Sequence, residues 1–304
     1  MEKNMDFIEW ANRTKHVYRA NSLFEDFYSC LNNGQEYRTH DLIQLIDKYT
    51  IDDKDQRFYR VIRKGTKLYR ARVVKNFDYK NFYDFDASSQ YVHGYNETNS
   101  REAPIGKSPS GRNNIEGVSY LYVSKDEKTA CAELKSSPMD LISLATFELT
   151  RNMKIVDFAL FDKKFKANEI DNDQLALGLL FARIMKSYIT PVRNKEEDKT
   201  YKITQIISDH IRKMGVDGIA YGSFYDRQGE NFTFFNSHKN FFAFCGSRLL
   251  VNKSQRVSFL DFENENIVNV YSRNDTKYDK KAADNMMDNI KYTIINQAKE
   301  NKQK

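Results

Sequence analysis

Two arginines lie on a strand-like segment where unpaired cations would be costly. The segment Lys67–Val74, KLYRARVV, alternates with period two, which puts Arg70 and Arg72 on the face that also carries its apolar side chains. Guanidinium groups on a partly apolar face need an anion or a carboxylate to satisfy them. The segment therefore indicates either an anion-binding strand or a structural ion pair.

A glutamate, Glu133, has mostly apolar neighbours in the segment TACAEL. A capping box formed by Ser124 and Glu127 predicts that a short helix starts there, and Pro138 stops it soon after Leu134. Glu133 then lies in the last turn, where the helix macrodipole disfavours a carboxylate. An exposed surface glutamate is the alternative interpretation, because glutamates are seldom buried.

The stretch Ser110–Leu134 is predicted to position these groups. It begins as a loop flanked by glycines that holds a further arginine, Arg112, and continues as a strand over Ser119–Val123. Alternation along this strand places Tyr120 and Tyr122 on one face. A loop, a strand and a helix in this order would carry an arginine and a carboxylate on adjoining elements.

Apolar periodicity predicts the elements around this stretch. Residues 1 to about 60 are predicted to be helical, with one helix starting at Asn21 and Ser22 and ending before Gly34. Further helices are predicted over 173–188 and 201–214, and strands over 141–149, 154–158, 218–221, 231–236 and 241–246. The irregular segment between Lys75 and Ser110 is long for a loop, which indicates that it covers or builds a site. The tail from about Thr276 is predicted to be a marginal helix.

Composition and missing motifs exclude several classes of function. The net charge of +6 is spread along the chain and is too weak to indicate nucleic-acid binding. Three cysteines far apart in the sequence favour a reducing compartment, and neither a membrane span nor a signal peptide is seen, so we expect a cytoplasmic protein. The sequence has no GxGxxG after a strand, no P-loop, no HExxH and no paired CxxC, and we expect no metal.

The order of the motifs resembles one known family. LYRAR, SGRNNIEG, LYVS, TACAEL, the pair Tyr201 and Gln205, GVDGIAYGS and GENFTFF follow one another as they do in the RES domain, over about residues 65 to 250. The family is named for an arginine, a glutamate and a serine, which match Arg70, Glu133 and Ser223. Two departures are Asn113, where many members carry an aromatic residue, and the long insert between Arg70 and Arg112.

The resemblance implies an α+β fold like that of ADP-ribosyltransferases, with a split, mostly antiparallel sheet and flanking helices. It predicts a helical N-terminal extension (1–62), a RES domain (63–252) and a C-terminal extension with a charged, weakly helical tail (253–304). It also implies a bacterial toxin that degrades NAD⁺ by phosphorolysis or hydrolysis, with an Xre-type antitoxin as partner. ADP-ribosyl transfer to a protein and a non-catalytic nucleotide- or partner-binding module are the alternatives.

The resemblance and the chemistry of NAD⁺ together predict a role for each residue. Cleavage of the bond between nicotinamide and ribose creates an oxocarbenium-like centre, which a carboxylate such as Glu133 can stabilise. Planar arginine forks suit the pyrophosphate, a tyrosine can stack on a flat ring or donate its hydroxyl, and short polar groups beside glycines allow close approach. The predicted catalytic residues are Glu133, Arg70 and Ser223, and the predicted NAD⁺-binding residues are Arg70, Arg112, Tyr122, Ser223 and Asn231.

Overall fold

Eight strands form a mostly antiparallel sheet, so the computed structural model of the protein has the α+β fold that the sequence predicts. The structure describes residues 7–50, 59–75, 78–82, 93–158, 172–190, 198–226, 228–237, 239–252, 257–260 and 267–271. The chain divides into two compact units. The first comprises Met1–Thr66, Glu102–Val123 and Leu149–Phe241, and the second comprises Lys67–Arg101, Ser124–Glu148 and Phe242–Lys304.

The helices and strands are numbered along the chain. The helices are α1 (Phe7–Asn32), α2 (Asp41–Thr50), α3 (Glu97–Ser100), α4 (Glu127–Ala132), α5 (Asn172–Ile189) and α6 (Asp198–Lys213). The strands are β1 (Tyr59–Ile62), β2 (Lys67–Val73), β3 (Leu121–Ser124), β4 (Leu141–Leu149), β5 (Met153–Asp157), β6 (Gly218–Gly222), β7 (Glu230–Phe234), β8 (Phe242–Val251), β9 (Val257–Leu260) and β10 (Ile267–Tyr271). Within the described residues, no helix is both long and apolar enough to cross a membrane.

In the first unit, β1, β5, β6 and β7 lie side by side in that order, followed by the first residues of β3. β1 runs antiparallel to β5, β5 runs parallel to β6, and β6 runs antiparallel to β7. The register of the last pair places Tyr221 opposite Asn231 and Ile219 opposite Thr233. Because side chains alternate along a strand, these four residues lie on one face of the two strands.

Helices α1, α2, α5 and α6 share one hydrophobic core with β5 and β6 in the first unit. The apolar stripes predicted for the N-terminal helices are buried there, with Phe27, Leu42 and Ile46 fully enclosed. Full burial of such a side chain contributes about 1.5–3 kcal/mol. Helices α1 and α2, which precede the stretch that resembles a known family, therefore contribute side chains between Ala20 and Ile46 to the core that supports α6.

In the second unit, β2 pairs antiparallel with β4 from Lys67 opposite Glu148 to Val73 opposite Ile142. Ser124 of β3 lies opposite Tyr69 of β2, and α4 packs against β2. β9 and β10 form a separate antiparallel pair.

Several local predictions were wrong. The N-cap of α4 is Asp126, which accepts hydrogen bonds from the main-chain nitrogen and hydroxyl of Thr129 at 2.8 Å each, while Ser124 belongs to a strand. Helix α1 begins at Phe7, far ahead of Asn21. The strands β1, β9 and β10 were not predicted, and the tail from Thr276 lies outside the described residues.

Candidate functional site

The loop before β3 holds Arg112 against the end of α5 and the start of α6. The Arg112 guanidinium donates to the main-chain oxygen of Thr190 at 3.3 Å and lies over the Tyr201 ring, 5.9 Å from its centroid. The main-chain oxygen of Arg112 accepts a hydrogen bond from the hydroxyl of Thr204 at 2.5 Å. Arg112 is half-buried, so its planar donor groups are partly accessible to an anion.

The next residue in the loop, Asn113, is buried and makes three hydrogen bonds. Its side-chain nitrogen donates to the hydroxyl of Thr233 at 2.6 Å, and its side-chain oxygen accepts from the hydroxyl of Ser208 at 3.0 Å. Its main-chain N–H donates to the hydroxyl of Tyr122 at 3.1 Å. Asn113 thus ties the loop to β7, α6 and β3 together.

Asn114 and Tyr122 close the loop from the inside. The Tyr122 hydroxyl donates to Asn114 Oδ1 at 2.6 Å, and Asn114 Nδ2 donates to the main-chain oxygens of Pro109, Ile115 and Val118 at 2.8–3.0 Å. Burial raises the pKa of Tyr122, and the nearby Tyr221 phenol raises it further, so the hydroxyl remains a proton donor.

Gly111 is required where the loop closes, because a Cβ there would lie 2.5 Å from Asn114 Oδ1. That distance is far inside van der Waals contact, so a larger residue would displace the amide that holds the loop together.

The paired strands β6 and β7 present a polar face beside this loop. Tyr221, Asn231 and Thr233 lie on that face, and the hydroxyls of Tyr221 and Thr233 are 3.4 Å apart. Asn231 is predominantly buried, and Asn113 reaches the same face through Thr233. The first unit therefore brings Asn231 to the polar face that the Arg112 loop contacts.

Ser223 follows β6 directly and shapes the turn into β7. Its hydroxyl oxygen accepts hydrogen bonds from the main-chain nitrogens of Tyr225 at 3.2 Å and Asp226 at 3.1 Å. Its main-chain N–H donates to the oxygen of Gly229 at 3.0 Å, which extends the ladder of β6 and β7 by one bond. These bonds fix the position of the Ser223 hydroxyl in the turn.

The second unit contains Arg70 and Glu133. Arg70 lies on β2 opposite Ala145 of β4, and Glu133 is the C-cap residue of α4, the helix that packs against β2. Both side chains are half-buried. The structure thus confirms that Glu133 ends a short helix, next to the strand that carries Arg70.

The neighbouring Arg72 donates a hydrogen bond to the main-chain oxygen of Arg101. The sequence led us to expect an anion or a carboxylate beside this guanidinium, and a main-chain carbonyl satisfies part of that need. Arg101, which the sequence did not single out, is itself buried. It binds Glu97 Oε1 at 2.7 Å and the main-chain oxygen of Phe242 at 2.6 Å.

A model of the RES domain matches residues 68–252, which is more than half of the chain and includes every predicted site residue. The chain belongs to the RES domain family. This membership supports an NAD⁺-related, toxin-like function. The crystal structure of the MbcT–MbcA toxin–antitoxin complex from M. tuberculosis is similar over 69% of this chain and 92% of that chain, with 12% identity and a TM-score of 0.34. A search of curated proteins gives no match.

The structure explains one departure of this RES sequence. Many RES domains carry an aromatic residue at the position of Asn113, and here the buried asparagine fills the position with hydrogen bonds to Ser208, Thr233 and Tyr122. This polar network therefore anchors the loop without an aromatic side chain at the position.

Cys131 of α4 does not have the features of a nucleophile. Burial raises the pKa of the Cys131 thiol, and the nearby Glu127 carboxylate raises it further, so the reactive thiolate is disfavoured. In the part of the chain that the structure describes, no cluster of three or more histidine, cysteine, aspartate or glutamate side chains is arranged to hold a metal ion.

Sequence reasoning singled out Tyr201 and Gln205 of α6 but missed two other side chains of this helix that hold the loop. Thr204 and Ser208 are fully buried polar residues four positions apart on a helix, beside the apolar positions Ile203 and Ile207. Buried hydroxyls must find partners. This spacing on the edge of an apolar stripe was the signal that could have identified them.

Proposed function

We propose that the protein is an NAD⁺-consuming enzyme that cleaves the bond between nicotinamide and ribose. Nicotinamide leaves with the bonding electrons, and the ADP-ribosyl group passes to water or to phosphate, whose proton is released. The observation that carries the proposal is the RES match over residues 68–252. This range contains Arg70, Glu133 and Ser223, which the resemblance assigns as the arginine, glutamate and serine of the family's name.

Glu133 is assigned the stabilisation of the oxocarbenium-like centre. Its carboxylate lies at the C-terminal end of α4. A carboxylate attracts a cation that develops on the ribose, so the interaction would be stronger in the transition state than in the ground state.

Arg112 and Arg70 are assigned to the pyrophosphate. Arg112 is held by the Thr190 carbonyl and the Tyr201 ring, so its side chain is already restricted before a ligand binds. Binding of the pyrophosphate would therefore cost less side-chain entropy. Arg70 lies on a strand that pairs along its length with β4, which gives it a rigid support.

Ser223 and Asn231 are assigned to polar contacts with the substrate, and Tyr122 to an indirect role. The Ser223 oxygen accepts hydrogen bonds from two main-chain N–H groups, which fixes the position of its hydroxyl in the turn after β6. The Tyr122 hydroxyl is bound to Asn113 and Asn114, so the role that fits its contacts is to hold the Arg112 loop.

The biological role proposed with this activity is that of a cytoplasmic toxin controlled by an Xre-type antitoxin. Loss of NAD⁺ would stop growth when the protein is expressed alone, and a partner protein would be needed to tolerate it. Co-expression with the product of an adjacent gene that relieves this arrest would support the pairing.

The test of the activity is NAD⁺ loss with purified protein, compared between the wild type and Glu133→Gln. The variant is nearly isosteric, so NAD⁺ affinity and thermal stability should change little. Turnover should fall by roughly 10²–10³, or about 3–4 kcal/mol, by analogy with the loss of one preorganised electrostatic group. Glu36→Gln is the matched control, because the Glu36 side chain is 62% exposed.

The products identify the acceptor. ADP-ribose indicates hydrolysis, a phosphorylated ADP-ribose that appears only with phosphate indicates phosphorolysis, and labelled protein indicates a transferase. Near-wild-type cleavage by Glu133→Gln removes this residue from the mechanism. No NAD⁺ loss with or without phosphate, and no labelled protein, would leave the binding module as the better interpretation.

A further inference from the structure

One face of α6 carries four polar or aromatic side chains that meet the Arg112 loop. Tyr201, Thr204, Gln205 and Ser208, here called the α6 polar stripe, lie within about 100° of arc because successive residues of a helix are about 100° apart. The isoleucines Ile203, Ile207 and Ile211 form a buried apolar stripe that runs along one side of these residues. The stripe therefore has a fixed orientation towards the loop.

Gln205 makes the most extensive contact of the stripe. Its side-chain nitrogen donates to Ser110 Oγ at 3.0 Å, to the main-chain oxygen of Gly111 at 2.7 Å and to the main-chain oxygen of Asn114 at 3.0 Å. Two N–H groups are thus shared among three oxygens on both sides of Arg112. A single side chain spans the base of the loop.

Thr204 and Ser208 complete the contact. Thr204 donates to the main-chain oxygen of Arg112 at 2.5 Å, and Ser208 donates to Asn113 Oδ1 at 3.0 Å. Together with Gln205, they give each of the five residues 110–114 a hydrogen bond from α6. Main-chain carbonyls held in this way leave the loop few alternative conformations.

Helix α6 is itself anchored on its other sides. The Lys202 ammonium donates to the main-chain oxygen of Leu31 at the end of α1 at 2.6 Å, and His210 Nε2 lies 2.5 Å from Asp47 Oδ1 on α2. With the isoleucines in the core, these contacts fix the helix in the first unit. The stripe can therefore act as a rigid template for the loop.

We propose that Gln205 is a positioning residue, which holds residues 110–114 so that Arg112 is preorganised to bind a pyrophosphate. The proposal rests on the function proposed above, in which Arg112 binds NAD⁺. Preorganisation lowers the conformational entropy that binding must overcome, so its loss weakens binding of the substrate and leaves the chemical step largely intact.

The experiment compares Gln205→Met and Gln205→Glu with the wild type. Both variants keep the length of the side chain and remove the donor nitrogen. Each should raise KM for NAD⁺ at least 10-fold with kcat within about 2-fold, and hydrogen exchange of the amides in residues 110–117 should accelerate. Gln44→Glu is the matched control, because Gln44 is an exposed glutamine of α2 that donates to a main-chain oxygen within its own helix region.

A double-mutant cycle with Arg112→Lys separates positioning from general support of the fold. If Gln205 acts through Arg112, the double variant Gln205→Met with Arg112→Lys should have the same KM as the single variant Arg112→Lys. Independent, multiplying effects would overturn the proposal, as would unchanged KM in Gln205→Met or an effect confined to Gln205→Glu.

Failure of the proposed function has a different signature. Wild-type protein that neither binds nor consumes NAD⁺ would refute the function, whereas NAD⁺ consumption with normal KM in both Gln205 variants would refute only the role of Gln205. The exchange measurement needs no substrate, so slow exchange in residues 110–117 of Gln205→Met would refute the loop contact by itself.

Discussion

Tyr122→Phe isolates the contribution of one buried hydroxyl to the fold. The substitution removes one oxygen and keeps the ring. It takes away the donor to Asn114 Oδ1 and the acceptor of the Asn113 N–H, at 2.6 and 3.1 Å. Asn113 and Asn114 are 1% and 3% exposed, so water cannot readily replace the lost partner.

The expected loss of stability follows from these two contacts. A buried donor or acceptor that loses its partner costs about 1–3 kcal/mol. Two such groups give a gross cost of roughly 2–6 kcal/mol, and the phenylalanine recovers about 1 kcal/mol or more because the tyrosine hydroxyl no longer has to be desolvated. The net loss in free energy of unfolding should therefore be about 1–5 kcal/mol.

Urea unfolding followed by circular dichroism measures this loss, with the slope m compared between the variants. Tyr18→Phe is the matched control, because the Tyr18 side chain is 75% exposed, and it should change the free energy of unfolding by less than about 0.5 kcal/mol. A loss below about 0.5 kcal/mol for Tyr122→Phe with unchanged m would refute the reasoning, since the two asparagines would then be satisfied without the hydroxyl.

Three further predictions concern charge. Arg112→Lys keeps the charge but loses the planar fork, so NAD⁺ affinity measured by calorimetry should fall by roughly 1–3 kcal/mol, and an unchanged affinity would exclude the pyrophosphate role. Burial raises the pKa of Tyr188 from 10.0, so the folded state holds this proton more tightly than the unfolded chain. The stability that this difference contributes is complete below about pH 10, and above that the free energy of unfolding falls by about 1.4 kcal/mol per pH unit. Urea unfolding between pH 9 and 11 should therefore show a smaller fall with pH in Tyr188→Phe than in the wild type. Equal falls in the two proteins would contradict the assignment. The Arg60 guanidinium lies 3.0 Å from the Asp157 carboxylate and also pairs with Glu230. Arg60→Met should therefore lower the free energy of unfolding by about 3 kcal/mol, because two buried carboxylates lose this partner. A melting temperature equal to that of the wild type would count against this prediction.

Long elements with strong apolar periodicity were predictable from the sequence. The structure confirms the predicted helix over 201–214, which is α6, and the predicted strand over 141–149, which is β4. Both could be predicted because each buries a face of apolar side chains. Such burial leaves a repeating pattern that survives in the sequence.

Local signals failed where tertiary contacts compete with them. Ser124 and Glu127 match a capping box, but Ser124 pairs with Tyr69 in the sheet, so Asp126 becomes the cap. Asn21 resembles a helix start, yet it lies inside α1, where its side chain accepts a hydrogen bond from Arg183 of α5. Neither partner is near in sequence, so no local rule could identify it.

The residue types of the candidate site could be predicted from the sequence, but the hydrogen bonds between them could not. The motifs singled out Arg112 and Tyr122, but a sequence does not show that the Tyr122 hydroxyl binds the two asparagines that follow Arg112. These bonds depend on the register between β3 and the loop, which is set in three dimensions. The assignments of Arg70, Glu133, Ser223, Arg112 and Asn231 to NAD⁺ stay predictions. So do the direct contact of Tyr122 with NAD⁺ that the sequence predicted and the boundaries at residues 62 and 252.

The short strand β1 has a practical consequence for anyone who shortens this protein. β1 is the outer neighbour of β5, and it precedes the residues that match the RES model. A chain trimmed to residues 68–252 would leave the β5 segment Met153–Asp157 with unpaired main-chain N–H and C=O groups along one side. An exposed edge of this kind, with the mostly buried side chains of β5 beside it, is a template for strand addition between molecules. The trimmed protein should therefore self-associate, and it would be a poor choice for measuring activity.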